Sequence, residues 1–229
     1  MFRFGAVLHP RVRVLHQTNG LIALSKPAGV LSHPNRADDR SRSLFSCHYS
    51  MQEEVYMLDG HKLWLVHRID SATSGVLLVS DNQLVAHAVK REFARRNVRK
   101  EYRAIVFGKP SLSKGLWCDV VSAQKKAVTR FELLKTVTTF PVRSLLALYP
   151  STGFNHQLRV QCSMHDLPIV GDTMYGNFVL NREMAQLHSF ATNYMFLHAR
   201  GVDLSYSVAN NSYSFAAYDS PPSYFDLLL

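Results

Sequence analysis

The sequence predicts an α+β fold with predominantly antiparallel strands and peripheral helices. Three observations carry that prediction. Short apolar runs are joined by hairpin-type turns rather than long crossovers. One stretch, beginning near residue 80, has clear helical periodicity. With 47% hydrophobic and 19% charged residues, the 229-residue chain has enough apolar material for a sizeable core and too little charge for disorder. No internal repeat, low-complexity tract or interdomain linker is apparent, so the reading is one domain over residues 1–229.

Residues 12–15 and 21–24 read as strands around Asn19-Gly20, a strong two-residue hairpin signal. Lys26-Pro27-Ala28-Gly29 then breaks the pattern and reads as a shaped loop, at a cleft edge or simply at the surface. Residues 34–43 hold Arg36, Arg40 and Arg42 with two aspartates between them, and read as a mobile loop; residues 44–57 read as a helix. Two runs, 63–66 and 76–79, read as buried strands enclosing a polar loop with His67, Arg68 and Asp70. Thr73-Ser74-Gly75 supplies its turn chemistry.

Ser80-Asp81-Asn82-Gln83 fits a capping box with Ser80 at the cap. Leu84, Val85, Ala88, Val89 and Phe93 follow as an apolar stripe. Lys90, Arg91, Arg95 and Arg96 crowd the helix end, where cations suit the dipole, and Arg99 and Lys100 extend the basic run. Residues 101–107 alternate as a strand, with Tyr102, Ala104 and Val106 on one face. Residues 127–135 and 143–149 read as a further strand pair, 155–165 as a short helix, and 196–204 with 212–217 as a last hairpin. The tail from 224 to 229 reads as an apolar turn.

A formal net charge of +9 makes a polyanion a natural partner. Cys47, Cys118 and Cys162 are widely spaced, which fits free thiols in a reducing compartment better than a disulfide framework or zinc site. The first ten residues lack a long apolar run, and no stretch has the length of a membrane span. We expect a cytoplasmic monomer without an obligatory protein partner.

Asp70 is a carboxylate two residues from Arg68 in a loop between strands. That arrangement suits a nucleophile or base, and equally a structural ion pair. The residues around it carry a resemblance. His67-Arg68-Ile69-Asp70 with Thr73-Ser74-Gly75 resembles the HRLDxxTSG signature of the RluA-type RNA pseudouridine synthases. Ser25-Lys26-Pro27-Ala28-Gly29-Val30 is similar to their KPxG segment, and Lys100-Glu101-Tyr102-Arg103-Ala104 to their KxYxA strand. Thr152-Gly153 through Val160, then Pro168-Ile169-Val170-Gly171-Asp172 and Tyr175-Gly176, resemble TGRTHQIRVH…PIxGDxxYG. Four motifs in family order cover most of the chain.

The resemblance implies a bent central sheet with the active site in a basic cleft, no separate N-terminal RNA-binding domain because the family pattern starts almost at once, and conversion of uridine to pseudouridine in transfer or ribosomal RNA. That reaction gains and loses no atoms overall, so we expect no cofactor, and no His, Cys or carboxylate spacing suggests a catalytic metal. Asp70 matches the essential aspartate, Tyr102 the active-site tyrosine, and Arg159 the arginine that pairs with the catalytic carboxylate. Arg68 matches the residue that fills the space left by the flipped nucleotide. Lys26, Arg91, Arg95, Arg96 and Arg99 are candidate phosphate contacts.

Asp172 invites a pairing with Asp70 as glycosidase carboxylates, but its Gly-bounded turn favours local backbone bonding. The chain departs from the family block at Phe154-Asn155, where Arg-Thr is usual, and at Gln161, where His is usual. Two other readings are an inactive RNA-binding or assembly factor and a nucleosidase or glycosidase.

Overall fold

A computed structural model describes residues 4–58, 60–121, 125–188 and 194–229. These fall into two compact units: Met1–Val98 with Gly201–Asp219, and Arg99–Arg200 with Ser220–Leu229.

The first unit opens with the expected hairpin, β1 (Arg13–Thr18) and β2 (Leu21–Lys26). Thr18 pairs with Leu21 across Asn19 and Gly20, whose φ angles of 48° and 77° make the two-residue turn. β2 then pairs antiparallel with β6 (Ser74–Ser80), in a register that sets Lys26 opposite Gly75. Every residue of both strands is buried, as their continuous apolar runs require.

Residues 44–57 do not form the expected helix. They form β3 (His48–Ser50) and β4 (Val55–Leu58), which pair antiparallel, and β4 pairs in turn with β5 (His61–Leu65). Val55, Tyr56 and Leu58 are buried while Met57 faces out, and Glu54 takes a left-handed φ of 52° that ends any helical path. The stretch read as a loop over residues 34–43 contains a 3-10 helix, Ala37–Arg42, where Arg36 N donates to Asp39 Oδ2 at 3.2 Å.

The basic helix is present as α1 (Gln83–Ala94), but its cap is Asn82, whose Oδ1 accepts from Leu84 N and Val85 N. Ser80 is still in β6, and its Oγ donates to the Gly20 carbonyl and accepts from Asn82 N. Val85, Ala88 and Val89 pack on Leu21, Ala23, Val76 and Leu78, whereas Leu84 stays exposed. Gly201 to Val208 of β11 (Leu197–Val208) pair antiparallel with β12 (Asn211–Tyr218) and complete this core with Val202, Leu204, Tyr206 and Phe215.

The second unit is built on β7 (Arg99–Phe107), β8 (Lys114–Val120), β9 (Lys126–Val137) and β10 (Arg143–Pro150), in the antiparallel order β7-β10-β9-β8. β8 has no counterpart in the sequence reading; its exposed Leu116 and Val120 and buried Trp117 blur the alternation. Two helices, α2 (Gln157–Met164) and α3 (Phe178–Leu187), lie in this unit. α3 also escaped the sequence reading. Only Met184 on it is fully buried, so its apolar stripe is weak, and Asn177 is its cap. Residues 168–170 run beside β7, with Phe107 N donating to Pro168 O and Val170 N to Ile105 O. Ile105, Phe107, Val170, Met184, Phe196, Phe225 and Leu228 form the core here.

Candidate active site

Asp70 sits half-buried in the loop between β5 and β6, and backbone bonds hold the loop at several points. Thr73 N donates to Asp70 O at 3.0 Å and closes the turn. Leu78 N donates to His67 Nε2 at 3.1 Å, and the His67 ring stacks on Phe93 of α1 at 4.8 Å. The β2–β6 register brings the Lys-Pro-Ala-Gly segment to the other side. Gly29 N donates to Ser71 O at 2.8 Å, and Lys26 Nζ donates to the same carbonyl at 3.0 Å. Ser32 Oγ donates to Ile69 O at 2.7 Å and lies 3.4 Å from Ile69 N.

Lys26 is therefore not the phosphate contact expected from its sequence position. Its side chain is fully buried, and Nζ also donates to Val30 O at 2.7 Å and Pro27 O at 3.2 Å. An ammonium surrounded by three carbonyls ties two loops together; it is not placed to neutralise RNA. Burial pushes its pKa down to about 7, against an upward pull from the Asp70 charge and a further push down from Arg11. Arg68 is exposed, and its Nη1 lies 2.8 Å from His33 Nε2.

In the second unit, Tyr102 is partly buried on β7, opposite Leu148 of β10. Lys100, two residues earlier, donates from Nζ to Thr152 O at 2.8 Å and so fixes the Thr-Gly turn ahead of α2. Arg159 on α2 is buried and meets Asp172 in a two-point ion pair: Nε donates to Oδ2 at 2.7 Å and Nη2 to Oδ1 at 2.8 Å. Asp172 Oδ1 also accepts from Met174 N and Tyr175 N at 2.8 and 3.0 Å, the local backbone bonding expected of this turn. Burial disfavours the Asp172 charge, but the Arg159 bonds, the two N–H groups and the Arg159 charge outweigh it and hold the carboxyl below its usual range. Gly171 takes φ 77°, and a Cβ there would collide with the Tyr194 carbonyl, so the Gly-Asp step admits no side chain.

The Arg159–Asp172 pair is the main feature that sequence reasoning missed. Its only signal was a lone Asp within a glycine-bounded turn. An ionised carboxylate with a depressed pKa is also unsuited to general-acid work, which requires a raised one.

A family model for RNA pseudouridylate synthase matches residues 20–164, the span that holds Asp70, Tyr102 and Arg159.

The chain belongs to the RNA pseudouridylate synthase family.

It is 29% identical to the dual-specificity RNA pseudouridine synthase RluA of Escherichia coli (strain K12), over 91% of this chain and 93% of that protein. It is 35% identical to tRNA pseudouridine synthase C of Haemophilus ducreyi (strain 35000HP / ATCC 700724), over 82% of each. Among solved structures, human RNA pseudouridylate synthase domain containing 4 resembles it with a TM-score of 0.69 at 27% identity, covering 93% of this chain and 90% of that one.

Against this pseudouridylate synthase background, the departures in the third block have local explanations. Gln161 is fully buried in a directed chain of bonds. Thr152 Oγ1 donates to Gln157 Oε1, Gln157 Nε2 to Thr129 Oγ1, Thr129 Oγ1 to Gln161 Oε1, and Gln161 Nε2 to Asp119 Oδ2. Each donor meets an acceptor, so the amide at 161 fastens α2 to β8 and β9. Phe154 is partly buried, with its ring 5.8 Å from Lys125 Nζ.

Arg91, Arg95 and Arg96 are exposed at the end of α1, as expected. Arg95 is 3.4 Å from Glu92, while Lys90 is engaged by Glu54 at 2.6 Å. Arg99 is exposed at the start of β7, in the second unit. Among the described residues, no helix is long and apolar enough to cross a membrane.

Proposed function

We propose that this pseudouridine synthase isomerises particular uridines in transfer or ribosomal RNA, with Asp70 as the catalytic carboxylate. The observation that carries the reading is the Asp70 loop, braced on both sides by Lys26, Gly29 and Ser32 within the family's own signature. Rigid support of this kind keeps a reacting group in one geometry. In the reaction, the bond from ribose C1′ to uracil N1 breaks and the base turns. C1′ then bonds to C5, C5 loses a proton and N1 gains one. Asp70 assists by covalent attack or by stabilising the charge that develops. Tyr102 stacks on the uracil and moves the C5 proton through its hydroxyl. Arg159 keeps the reacting carboxylate charged and oriented. The target nucleotide leaves the stack, and Arg68 occupies the gap.

The chain works as a monomer in the cytoplasm, as one catalytic domain. Arg91, Arg95, Arg96 and Arg99 meet RNA phosphates. If they do, replacing Arg91 and Arg95 with Gln flattens the slope of log affinity against log salt by about one to two contacts' worth and leaves turnover at saturating RNA intact. An unchanged slope would mark this helix end as merely solvated.

The direct test is to incubate the purified protein with unmodified transfer and ribosomal RNA and map pseudouridine. A product at defined positions is expected, and none on any RNA would sink the proposal. RNA carrying 5-fluorouridine separates the alternatives: a stable adduct supports isomerisation, simple reversible binding an inactive RNA-binding factor, and release of free base a nucleosidase. The last is disfavoured by Asp172, which is committed to Arg159.

A further inference from the structure

We infer that His33 is a positioning residue that sets the conformation of Arg68; the inference rests on the reading that Arg68 fills the gap left by the flipped nucleotide. Arg68 is exposed, and an exposed arginine samples many rotamers and loses that freedom on ordering. Among the described residues, its hydrogen-bond partner is His33, at 2.8 Å from Nη1 to Nε2.

The chemistry of that contact fixes the state of the imidazole. A guanidinium only donates, so Nε2 must present its lone pair to Arg68. The ring proton then resides on Nδ1, which donates to Pro34 O at 3.2 Å. Both ring nitrogens are thereby used, each in a defined role.

The ring is also held in place. His33 is 7% exposed and lies flat on Tyr49, with centroids 5.1 Å apart and planes 8° from parallel. Tyr49 packs on the fully buried Tyr56 at 4.6 Å, and Tyr56 donates its hydroxyl to Ser32 O at 2.8 Å. Ser32 itself binds Ile69 O. Consecutive residues 32 and 33 thus grip consecutive residues 69 and 68, one through backbone and one through the side chain that would enter the RNA. An arginine already tied to one partner by a hydrogen bond enters a stack with less ordering left to do.

The test uses an RNA that the mapping shows to be modified, with 2-aminopurine beside the target uridine to report unstacking. His33→Phe keeps the stack on Tyr49 but removes the acceptor, and His33→Gln restores an acceptor near Nε2. We expect His33→Phe to slow both the fluorescence rise and single-turnover pseudouridine formation about tenfold, and His33→Gln to recover most of that loss. In an Arg68→Ala background, His33→Phe should add nothing further. Parent-like rates for His33→Phe, or the same loss with and without Arg68, would overturn the inference while leaving the Arg68 reading intact. A parent-like rate for Arg68→Ala alone would instead overturn that reading, and this inference with it. Nitrogen NMR of the unmutated protein gives a check independent of variant folding: the His33 tautomer should carry its proton on Nδ1, and a proton on Nε2 would exclude the contact.

Discussion

Asp70→Asn should reduce pseudouridine formation by about a thousandfold or more while preserving the fold and RNA binding. The substitution keeps side-chain size but removes the charge that attacks or stabilises. Several holds on the loop do not involve the Asp70 side chain: Ser71 O is bonded by Gly29 N, Ile69 O by Ser32, and Asp70 O by Thr73 N. Product yield on the mapped RNA, measured with an affinity assay, decides the matter. Turnover near that of the parent would remove Asp70 from the chemistry. Tyr102→Phe belongs in the same series. It retains the ring for stacking and loses the hydroxyl, so binding should persist and the rate at saturation should fall. Loss of binding with an intact rate would reverse that assignment.

Asp172→Ala should destabilise the protein by about 3–5 kcal/mol, because it removes the two-point carboxylate partner of the buried Arg159 guanidinium and orphans two N–H groups. That is a large part of the roughly 5–15 kcal/mol that typically holds a domain together. Urea denaturation at neutral pH measures it, and a deficit under about 1 kcal/mol would mean that the pair is dispensable for stability. The pH dependence gives the sign independently. The folded-state pKa of Asp172 is lowered, so the pair's contribution is complete above the ordinary aspartate value, near 4. It is lost as pH falls through the lower, folded value. The gap between parent and Asp172→Ala should therefore be full at pH 7 and narrow under acid conditions. A gap that does not change with pH would point to packing rather than charge. Arg159→Ala should also lower the rate at saturation, and an unchanged rate and pH–rate profile would make Arg159 purely structural.

By itself the sequence determined the signals that are local. Asn19-Gly20 specified a hairpin because its left-handed turn suits few other residue pairs. The runs at 21–24 and 76–79 specified buried strands, and the stripe from Val85 to Val89 specified a helix, because side-chain period is a property of the chain itself. The four motifs identified the family in the same way. Residues 44–57 read as helical because short apolar runs do not distinguish helix from strand; the pairing of β3 with β4 and of β4 with β5 decided the outcome. Ser80 and Asn82 are both good caps, and the extension of β6 through Ser80 left the role to Asn82.

Tertiary structure alone decided what the charged side chains do. Lys26 in the sequence is simply a cation. It became a buried brace because the Lys26–Gly75 register delivers the carbonyl of Ser71, 45 residues away, to its Nζ. Arg159 and Asp172 became partners because residues 168–170 dock beside β7 and the Gly171 turn presents the carboxylate to α2. His33 gained a defined tautomer only through Arg68 on one side and Pro34 on the other. A backbone period needs only neighbours in sequence, whereas the energy of a charge depends on the dielectric and partners that folding assembles around it.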